Sequence, residues 1–205
     1  TGICFRFPYP TGAHCDDACN WEAVDKHTTT IVTQNESSAV LKHTLDSIEY
    51  FVTLYWEGKA TLNEKAKHYF VLTPMDDHLA FTCAFTSTAP STQPVTVAQT
   101  QEEAKNYWNS FWKEGAAVDF SACTDPRAKE LERRVVLSQY LLAIQSAGTT
   151  PPQETGLTYN SWFGKFHLEM IWWHEAQFAL WNRSNLLDRT LGWYEKAEPI
   201  ARQIA

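Results

Sequence analysis

The stretch Ile48-Glu-Tyr-Phe-Val-Thr-Leu-Tyr-Trp56 decides the fold of the first half of the chain. It concentrates β-branched and aromatic residues, which are typical of a half-buried strand. Similar short runs surround it and predict further strands at residues 28–33, 38–43, 68–73 and 79–86, with turns at 56–59 and 73–77. Several short strands at this spacing predict an antiparallel β-sandwich domain over residues 1–98.

The apolar pattern changes after the predicted sandwich. Residues 86–94 are rich in Ser, Thr and Pro and predict a linker. Thr100-Gln-Glu-Glu103 has the pattern of a capping box, which predicts that a helix begins there. The predicted helices span residues 100–113, 126–146, 165–181 and 186–205, and Pro199 is expected to kink or interrupt the last one. The fold class is therefore α+β and multidomain, with a helical linker over residues 99–125 and a helical domain over 126–205.

Composition excludes several classes of function. The chain has 205 residues, a net charge of −7 and an isoelectric point near 5.5, which argue against nucleic acid as a partner. No apolar run approaches the roughly eighteen residues that cross a bilayer, so we expect no membrane association. Aromatic residues make up 14% of the chain, and nine of them are Trp, which is more than an ordinary core requires.

Cysteines and glycosylation signals indicate a secreted, extracellular protein. The five cysteines include Cys4, Cys15 and Cys19, among which we expect one disulfide. Asn35 and Asn182 each begin an Asn-x-Ser triplet and are candidate glycosylation sites. The histidines do not follow the spacing of zinc motifs, and Cys-x-x-Cys is absent from the sequence, so no metal or other cofactor is predicted. The helical pattern at the last residues carries no cap, and we expect the chain to be part of a longer protein.

The candidate binding site is the stretch Gly156-Leu-Thr-Tyr-Asn-Ser-Trp-Phe-Gly-Lys-Phe-His-Leu-Glu-Met-Ile-Trp-Trp-His174. It places aromatic residues beside a few charged residues at a predicted loop-to-helix junction. Aromatic rings stack on the apolar face of a sugar ring, while charged groups hydrogen-bond to its hydroxyls. The predicted substrate-binding residues are Glu169, His167, Lys165, Trp162, Trp173 and Glu154.

Several of these residues have a structural alternative. Glu169, predicted to lie near the start of a buried helix, can bind sugar hydroxyls or form a buried ion pair with Lys165. His167 can bind substrate or be a hydrogen-bonded core residue, and Trp173 can stack on a sugar or pack in the core. Glu154, in a predicted loop, can shape a pocket or be a solvated carboxylate.

The order of these motifs resembles a known superfamily. The predicted sandwich and linker helix, then Glu130-Leu-Glu-Arg, Tyr140-Leu-Leu-Ala, and Gly156-Leu-Thr followed by Gly164-Lys-Phe-His-Leu-Glu169, are similar to the six-hairpin glycosidases. The nearest branch contains the disaccharide phosphorylases and the acid trehalases. This resemblance implies an N-terminal β-sandwich, a helical linker and an (α/α)6 catalytic barrel, of which this chain would hold the first helices.

The same resemblance implies a function. The family loop carries Trp-Asp-Thr-Glu, which binds the sugar; here His167-Leu-Glu169 stands in its place, and Glu169 can correspond to either the family Asp or the family Glu. The family's general acid lies late in the barrel, so we expect it beyond Ala205. We therefore predict a secreted glycoside hydrolase, of the inverting kind that the family implies, acting on an oligo- or polysaccharide. The alternatives are a disaccharide phosphorylase and a non-catalytic carbohydrate-binding or scaffold protein.

Overall fold

A computed structural model describes residues 2–91, 95–157 and 159–204, so residues 92–94 of the predicted linker lie outside the described part of the chain. The chain divides into two compact units. The N-terminal unit comprises Thr1–Thr11 and Ala18–Asn106, and the C-terminal unit comprises Gly12–Asp17 and Tyr107–Ala205. A short piece near the start of the sequence therefore belongs to the C-terminal unit.

The N-terminal unit is built from antiparallel strands. They are β1 Ile3–Arg6, β2 Tyr9–Pro10, β3 Cys19–Asn20, β4 His27–Gln34, β5 Ser38–Leu45, β6 Ile48–Glu57, β7 Ala60–Ala66, β8 Tyr69–Pro74 and β9 Ala80–Thr86. One sheet has the order β4-β5-β6-β9, a second has the order β1-β8-β7, and β2 pairs with β3. The five predicted strands are confirmed. The sequence pattern did not predict the other four, which are β1, β2, β3 and β7.

Strand β6, the stretch that predicts the fold, lies inside the four-stranded sheet. Its residues pair with β5 on one side and with β9 on the other. Val52, Leu54 and Trp56 alternate along it and are almost fully buried. Their cluster also contains Phe70 and Leu72 of the three-stranded sheet, so the two sheets share one apolar core.

The rest of the described chain is mainly helical, which confirms the mixed α+β class. The helices are α1 Val97–Glu114, α2 Ala128–Ser146, α3 Ile171–His174, α4 Gln177–Leu180 and α5 Ser184–Ile204. Helix α5 continues through Pro199, so the predicted interruption is wrong. None of the described helices is both long and apolar enough to span a membrane.

Helix α1 begins earlier than its predicted capping box. The Thr96 hydroxyl accepts a hydrogen bond from the Gln99 amide at 3.2 Å, and the Gln99 side chain accepts one from the Thr96 amide at 2.9 Å. This reciprocal pair is a capping box, formed one turn before Thr100. The Thr100 hydroxyl instead donates to the Thr96 carbonyl inside the helix, at 3.0 Å.

The predicted helix over residues 165–181 is wrong. This region contains a 3-10 turn at Leu168–Met170 and the short helices α3 and α4, and another 3-10 turn, Trp162–Gly164, comes just before it. Lys165 and His167 are extended, so a helix can begin only after them. A second break follows α3 at Glu175, whose side chain is completely buried. The prediction of a helix buried on every face also fails, because Trp172 and Leu180 are exposed.

Candidate functional site

The loop around Trp162 has an unusual backbone. Trp162, Phe163 and Gly164 have φ angles of 50°, 60° and 64°, so three successive residues adopt the left-handed conformation. This conformation is costly for residues other than glycine and persists only where neighbouring groups hold it. It directs two large aromatic side chains outward, and both are exposed.

The segment Gly12–Asp17, which belongs to the same unit, holds this loop. The Phe163 amide donates to the His14 carbonyl at 2.9 Å, and the Asn160 side chain donates to the Ala13 carbonyl at 3.2 Å. The Tyr159 hydroxyl donates to the Asp16 carboxylate at 3.1 Å, and this bond raises the pKa of Tyr159. These three bonds explain how the strained turn is held in place.

Aromatic rings and charged groups meet at this loop. The His14 ring lies edge-on to Trp162, with 4.6 Å between ring centroids, and at 5.0 Å from Phe163. The His167 ring also lies edge-on to Trp162, with 5.3 Å between ring centroids. Lys165 Nζ lies 5.4 Å from the Phe163 ring centroid, within the range of a cation–π contact.

Glu154 joins this group through two contacts. Its carboxylate lies 3.7 Å from His167 Nε2, with both side chains half-buried; this distance suits an ion pair and is too long for a hydrogen bond. The Glu154 amide also donates to the Lys165 carbonyl at 3.3 Å. We call the whole group the Trp162 cluster. Its members are His14, Glu154, Trp162, Phe163, Lys165 and His167.

Four of the six predicted substrate-binding residues therefore lie together, and two do not join them by any described contact. Glu169 is exposed on the turn Leu168–Met170, so the buried ion pair with Lys165 considered as its alternative is wrong. Trp173 is also exposed, and the alternative that it packs in the core is wrong. Both remain on the surface of the same segment, where a ligand could reach them.

Two ionisable side chains that the sequence pattern did not indicate, Arg183 and Glu175, are buried among the described residues of the C-terminal unit. Arg183 donates to Gln139 Oε1 at 2.7 Å and to the Phe111 carbonyl at 2.9 Å, and its guanidinium lies 4.0 Å from the Phe111 ring centroid. Glu175 accepts a 2.8 Å hydrogen bond from Thr190, and burial raises the pKa of its carboxyl. These groups join helices to loops and are structural rather than part of the Trp162 cluster.

The two predicted glycosylation sites are both at the surface. Asn35 is exposed in the turn between β4 and β5, where its side-chain oxygen accepts a 3.0 Å bond from the Ser38 amide. Asn182 is exposed after α4, and its side-chain nitrogen donates to the Glu114 carbonyl at 3.2 Å. Exposure is the property that a glycan acceptor requires.

The disulfide expected among the first three cysteines is absent from the described chain. Cys4 and Cys15 carry free thiols. Cys4 Sγ lies 3.3 Å from the Tyr69 hydroxyl, because β1 pairs with β8, and Cys15 Sγ lies 3.6 Å from His14 Nδ1. A bridge would require at least one of these two thiols.

Three histidines that the sequence analysis did not group come together in the N-terminal unit. His27, His43 and His68 are buried, and one nitrogen from each lies within 4.8 Å of the other two. The signal that could have found them is strand pairing, because His43 lies opposite Thr29 on β4, two residues after His27.

Comparison with known proteins gives no relative for this chain. No protein family matches the sequence, and neither the curated proteins nor the solved structures contain a detectable match.

Proposed function

We propose that the Trp162 cluster binds a saccharide, and that this chain supplies the sugar-positioning part of a secreted, inverting glycoside hydrolase. One observation carries the proposal: a strained turn exposes Trp162 and Phe163 beside the half-buried pair of Glu154 and His167. A strained backbone that is held by several hydrogen bonds is more common at functional sites than elsewhere.

The chemistry of the cluster fits a sugar. The exposed Trp162 and Phe163 rings offer flat apolar faces, which suit the axial C–H groups of a pyranose. Glu154 can accept hydrogen bonds from ring hydroxyls, while Lys165 and a ring N–H of His167 can donate them. Glu169 and Trp173, exposed on the same segment, would extend the site to a neighbouring sugar unit.

The rest of the catalytic machinery would come from further helices. Helix α2 exposes Leu131, and α5 exposes Ile200, although each helix also contributes to the core of its own unit. Apolar helix faces of this kind support packing against other helices, as in an (α/α)6 barrel. In this proposal the general acid belongs to one of those helices, and the domain 126–205 is the first part of the barrel.

Saccharide binding by the 205-residue chain tests the first part of the proposal. Trehalose and a panel of α- and β-linked glucose oligosaccharides would be titrated while Trp fluorescence and ligand NMR saturation transfer are recorded. We expect at least one sugar to bind, and Trp162→Ala to weaken its binding by roughly tenfold or more because a stacking face is lost. Trp172→Ala is the matched control, since Trp172 is 73% exposed on the same segment.

Two results would contradict saccharide binding at this cluster. One is the absence of binding for every sugar in the panel. The other is an equal loss of sugar-binding affinity in the Trp162→Ala and Trp172→Ala variants. Glu154→Gln is a second test of the site, because it removes the carboxylate charge beside His167 while keeping the shape of the side chain.

The reaction is tested in the intact protein. We expect water to be the acceptor, the product anomer to be inverted when followed by NMR, and Glu169→Gln to lower turnover strongly. Normal turnover in that variant would remove Glu169 from the site. Dependence on inorganic phosphate would identify a phosphorylase instead, and sugar binding without bond cleavage would identify a carbohydrate-binding protein.

The proposal of secretion has its own test. Expression through a eukaryotic secretory pathway should add glycan mass at Asn35 and Asn182, and the Asn35→Gln and Asn182→Gln variants should each lose one increment. An unmodified secreted protein would contradict the assignment of both sites.

A further inference from the structure

The three buried histidines of the N-terminal unit come from different parts of its two sheets. His27 begins β4 and His43 lies within β5, whereas His68 immediately precedes β8. The His27 and His68 rings stack with 3.7 Å between centroids, and the His43 ring lies 5.0 Å from His27. Their exposed fractions are 6%, 0% and 7%, so all three side chains are more than nine-tenths buried.

Hydrogen bonds fix the protons on two of these rings. His68 Nε2 lies 2.8 Å from the Val24 carbonyl, which can only accept, so Nε2 carries a proton, and the singly protonated ring that a metal requires has its lone pair on Nδ1. The Thr29 hydroxyl, 2.9 Å from that Nδ1, must then donate to it. The same hydroxyl accepts from His43 Nδ1 at 2.7 Å, which leaves the lone pair of His43 on Nε2.

Two of the ring nitrogens have no partner among the described residues. They are His43 Nε2 and His27 Nδ1, and both atoms are buried. A buried polar atom without a partner is costly, so such atoms are rare in native proteins. Burial and the neighbouring histidines also lower the pKa of His43 to about 4, which keeps that ring neutral and able to act as a ligand at neutral pH.

We propose that His27, His43 and His68 bind a single divalent late transition-metal ion of the zinc class. One nitrogen from each ring lies within 4.8 Å of the others. Tetrahedral zinc with Zn–N bonds near 2.0–2.1 Å needs nitrogens about 3.4 Å apart, with the ion in the plane of each ring. On binding, the rings would therefore draw together by about an ångström, and the stacked His27 and His68 rings would tilt out of their stack towards the ion. Neutral imidazoles, without a thiolate or carboxylate among them, favour zinc, nickel, copper or cobalt over calcium or magnesium.

The surroundings of the rings resemble the outer shell of a metal site. Metal-bound histidines commonly donate their second N–H to a carbonyl or another fixed acceptor, which sets the ring orientation. His68 donates to the Val24 carbonyl and His43 to Thr29 in this way. Phe7 stacks on His43 with 5.2 Å between centroids, and this apolar wall excludes water from one side.

A metal at this position would have a structural role. His27 and His43 belong to the four-stranded sheet, and His68 leads into the three-stranded sheet, so the ion would cross-link the two sheets that share the core. It would also satisfy the two unpartnered nitrogens, and at His68 Nδ1 it would replace the hydrogen that the Thr29 hydroxyl donates without metal. The expected consequence is a higher unfolding temperature of the N-terminal unit when metal is present.

The test uses the full chain after dialysis against a chelator. Native mass spectrometry and calorimetric titration with Zn²⁺ should show one ion per chain, and Co²⁺ should give the intense visible absorption of a tetrahedral site. His27→Asn and His68→Asn should each weaken Zn²⁺ binding by at least a hundredfold; Asn at position 68 also tolerates the φ of 62° found there. His78→Asn, at an exposed histidine of the same unit, should leave binding unchanged.

Thr29→Val tests the metal site without removing any of the three histidine ligands. It keeps all three rings and a β-branched residue in β4, and it should weaken binding by about ten- to a hundredfold because His43 loses its acceptor. The proposal is overturned if the unaltered chain binds no Zn²⁺, if Co²⁺ shows only the weak octahedral spectrum, or if the His27, His68 and Thr29 variants bind as tightly as the unaltered chain.

Discussion

The two units of the chain differ in how completely they bury their apolar residues. In the N-terminal unit, nine buried apolar side chains of the described residues form one cluster, eight of them from the two sheets, and Trp56 is only 1% exposed. In the C-terminal unit, the corresponding cluster of described residues has four members, and Trp172 is 73% exposed. The aromatic residues of this sequence therefore have two different locations: in the first unit many lie in a buried core, and in the second several are exposed at the surface.

The largest expected effect tests this contrast directly. Phe70→Ala should destabilise the N-terminal unit by about 3–5 kcal/mol, because Phe70 is fully buried between the sheets and its loss leaves a cavity. Trp173→Ala should change the stability of the C-terminal unit by less than about 0.5 kcal/mol. Urea unfolding followed by hydrogen exchange of β6 and α2 separates the two responses. Comparable losses of stability in Phe70→Ala and Trp173→Ala would contradict this difference in burial between the two units.

The two units should also respond to pH in opposite directions, and the larger effect belongs to the N-terminal unit. An unfolded histidine titrates near 6.5, whereas the pKa of His43 is lowered by burial to about 4. Between these values the unfolded state binds more protons, so stability falls as the pH falls from 6.5 towards 4. The loss should reach about 3 kcal/mol, since each pKa unit is worth about 1.4 kcal/mol.

Urea unfolding of the N-terminal unit in a chelator, at pH 7.5 and at pH 4.5, measures this loss. His78→Asn, which changes an exposed histidine, should not alter it. A stability that is constant across this pH range would show that the pKa of His43 is not lowered in the folded protein.

In the C-terminal unit the change of stability with pH has the opposite sign, because burial raises the pKa of the Glu175 carboxyl. The folded state then binds more protons than the unfolded state above the ordinary pKa of 4.5, so stability is lost as the pH rises through the folded value. Glu175→Gln keeps an acceptor for Thr190 and removes the charge, and it should stabilise this unit at pH 8 by about 1–3 kcal/mol.

Thermal unfolding of the Glu175→Gln variant at pH 4 and pH 8 measures the difference. The gain should disappear near pH 4, where the native carboxyl is already protonated. Glu195→Gln, at an exposed position of α5, serves as the control and should have little effect at either pH. A gain of the same size at both pH values would have a cause other than charge.

The smallest expected effect concerns the start of α1. Thr96→Ala should cost about 1 kcal/mol, since the Thr96 hydroxyl accepts the Gln99 amide bond at the helix end. Thr100→Ala should cost less, because the Thr100 hydroxyl bonds only to a carbonyl within the helix. Hydrogen exchange of the first turn measures both. A greater loss of stability in Thr100→Ala than in Thr96→Ala would show that the capping box lies at Thr100, as predicted from the sequence.

Local composition predicted the sheets better than the helical region. Strands such as β5 and β6 are rich in β-branched and aromatic residues, so their pattern is readable in isolation. Strand β7 was missed because its sequence, Ala-Thr-Leu-Asn-Glu-Lys-Ala, is largely polar and only Leu62 is buried. Its pairing with β8 is a tertiary effect that composition does not reveal.

The prediction of one helix over residues 165–181 was wrong for the opposite reason. Their apolar side chains suggested a buried helix, but the segment has left-handed residues just before it and a buried Glu175 within it. Apolar content cannot separate a helix interior from an exposed binding surface, since both favour large side chains. The cluster of Trp162, His167 and Glu154 was predicted by residue type, whereas the contribution of His14 depends on a segment distant in sequence.

The piece Gly12–Asp17 makes the C-terminal unit discontinuous along the chain. A polypeptide that begins at Tyr107 would keep every helix after the boundary, yet it would lose the carbonyl of His14 that holds the Phe163 amide. Such a truncated protein should relax the turn at Trp162, and a synthetic peptide carrying residues 12–17 could restore it by complementation in trans. The proposed binding surface therefore depends on residues 12–17 as well as on the residues after Tyr107.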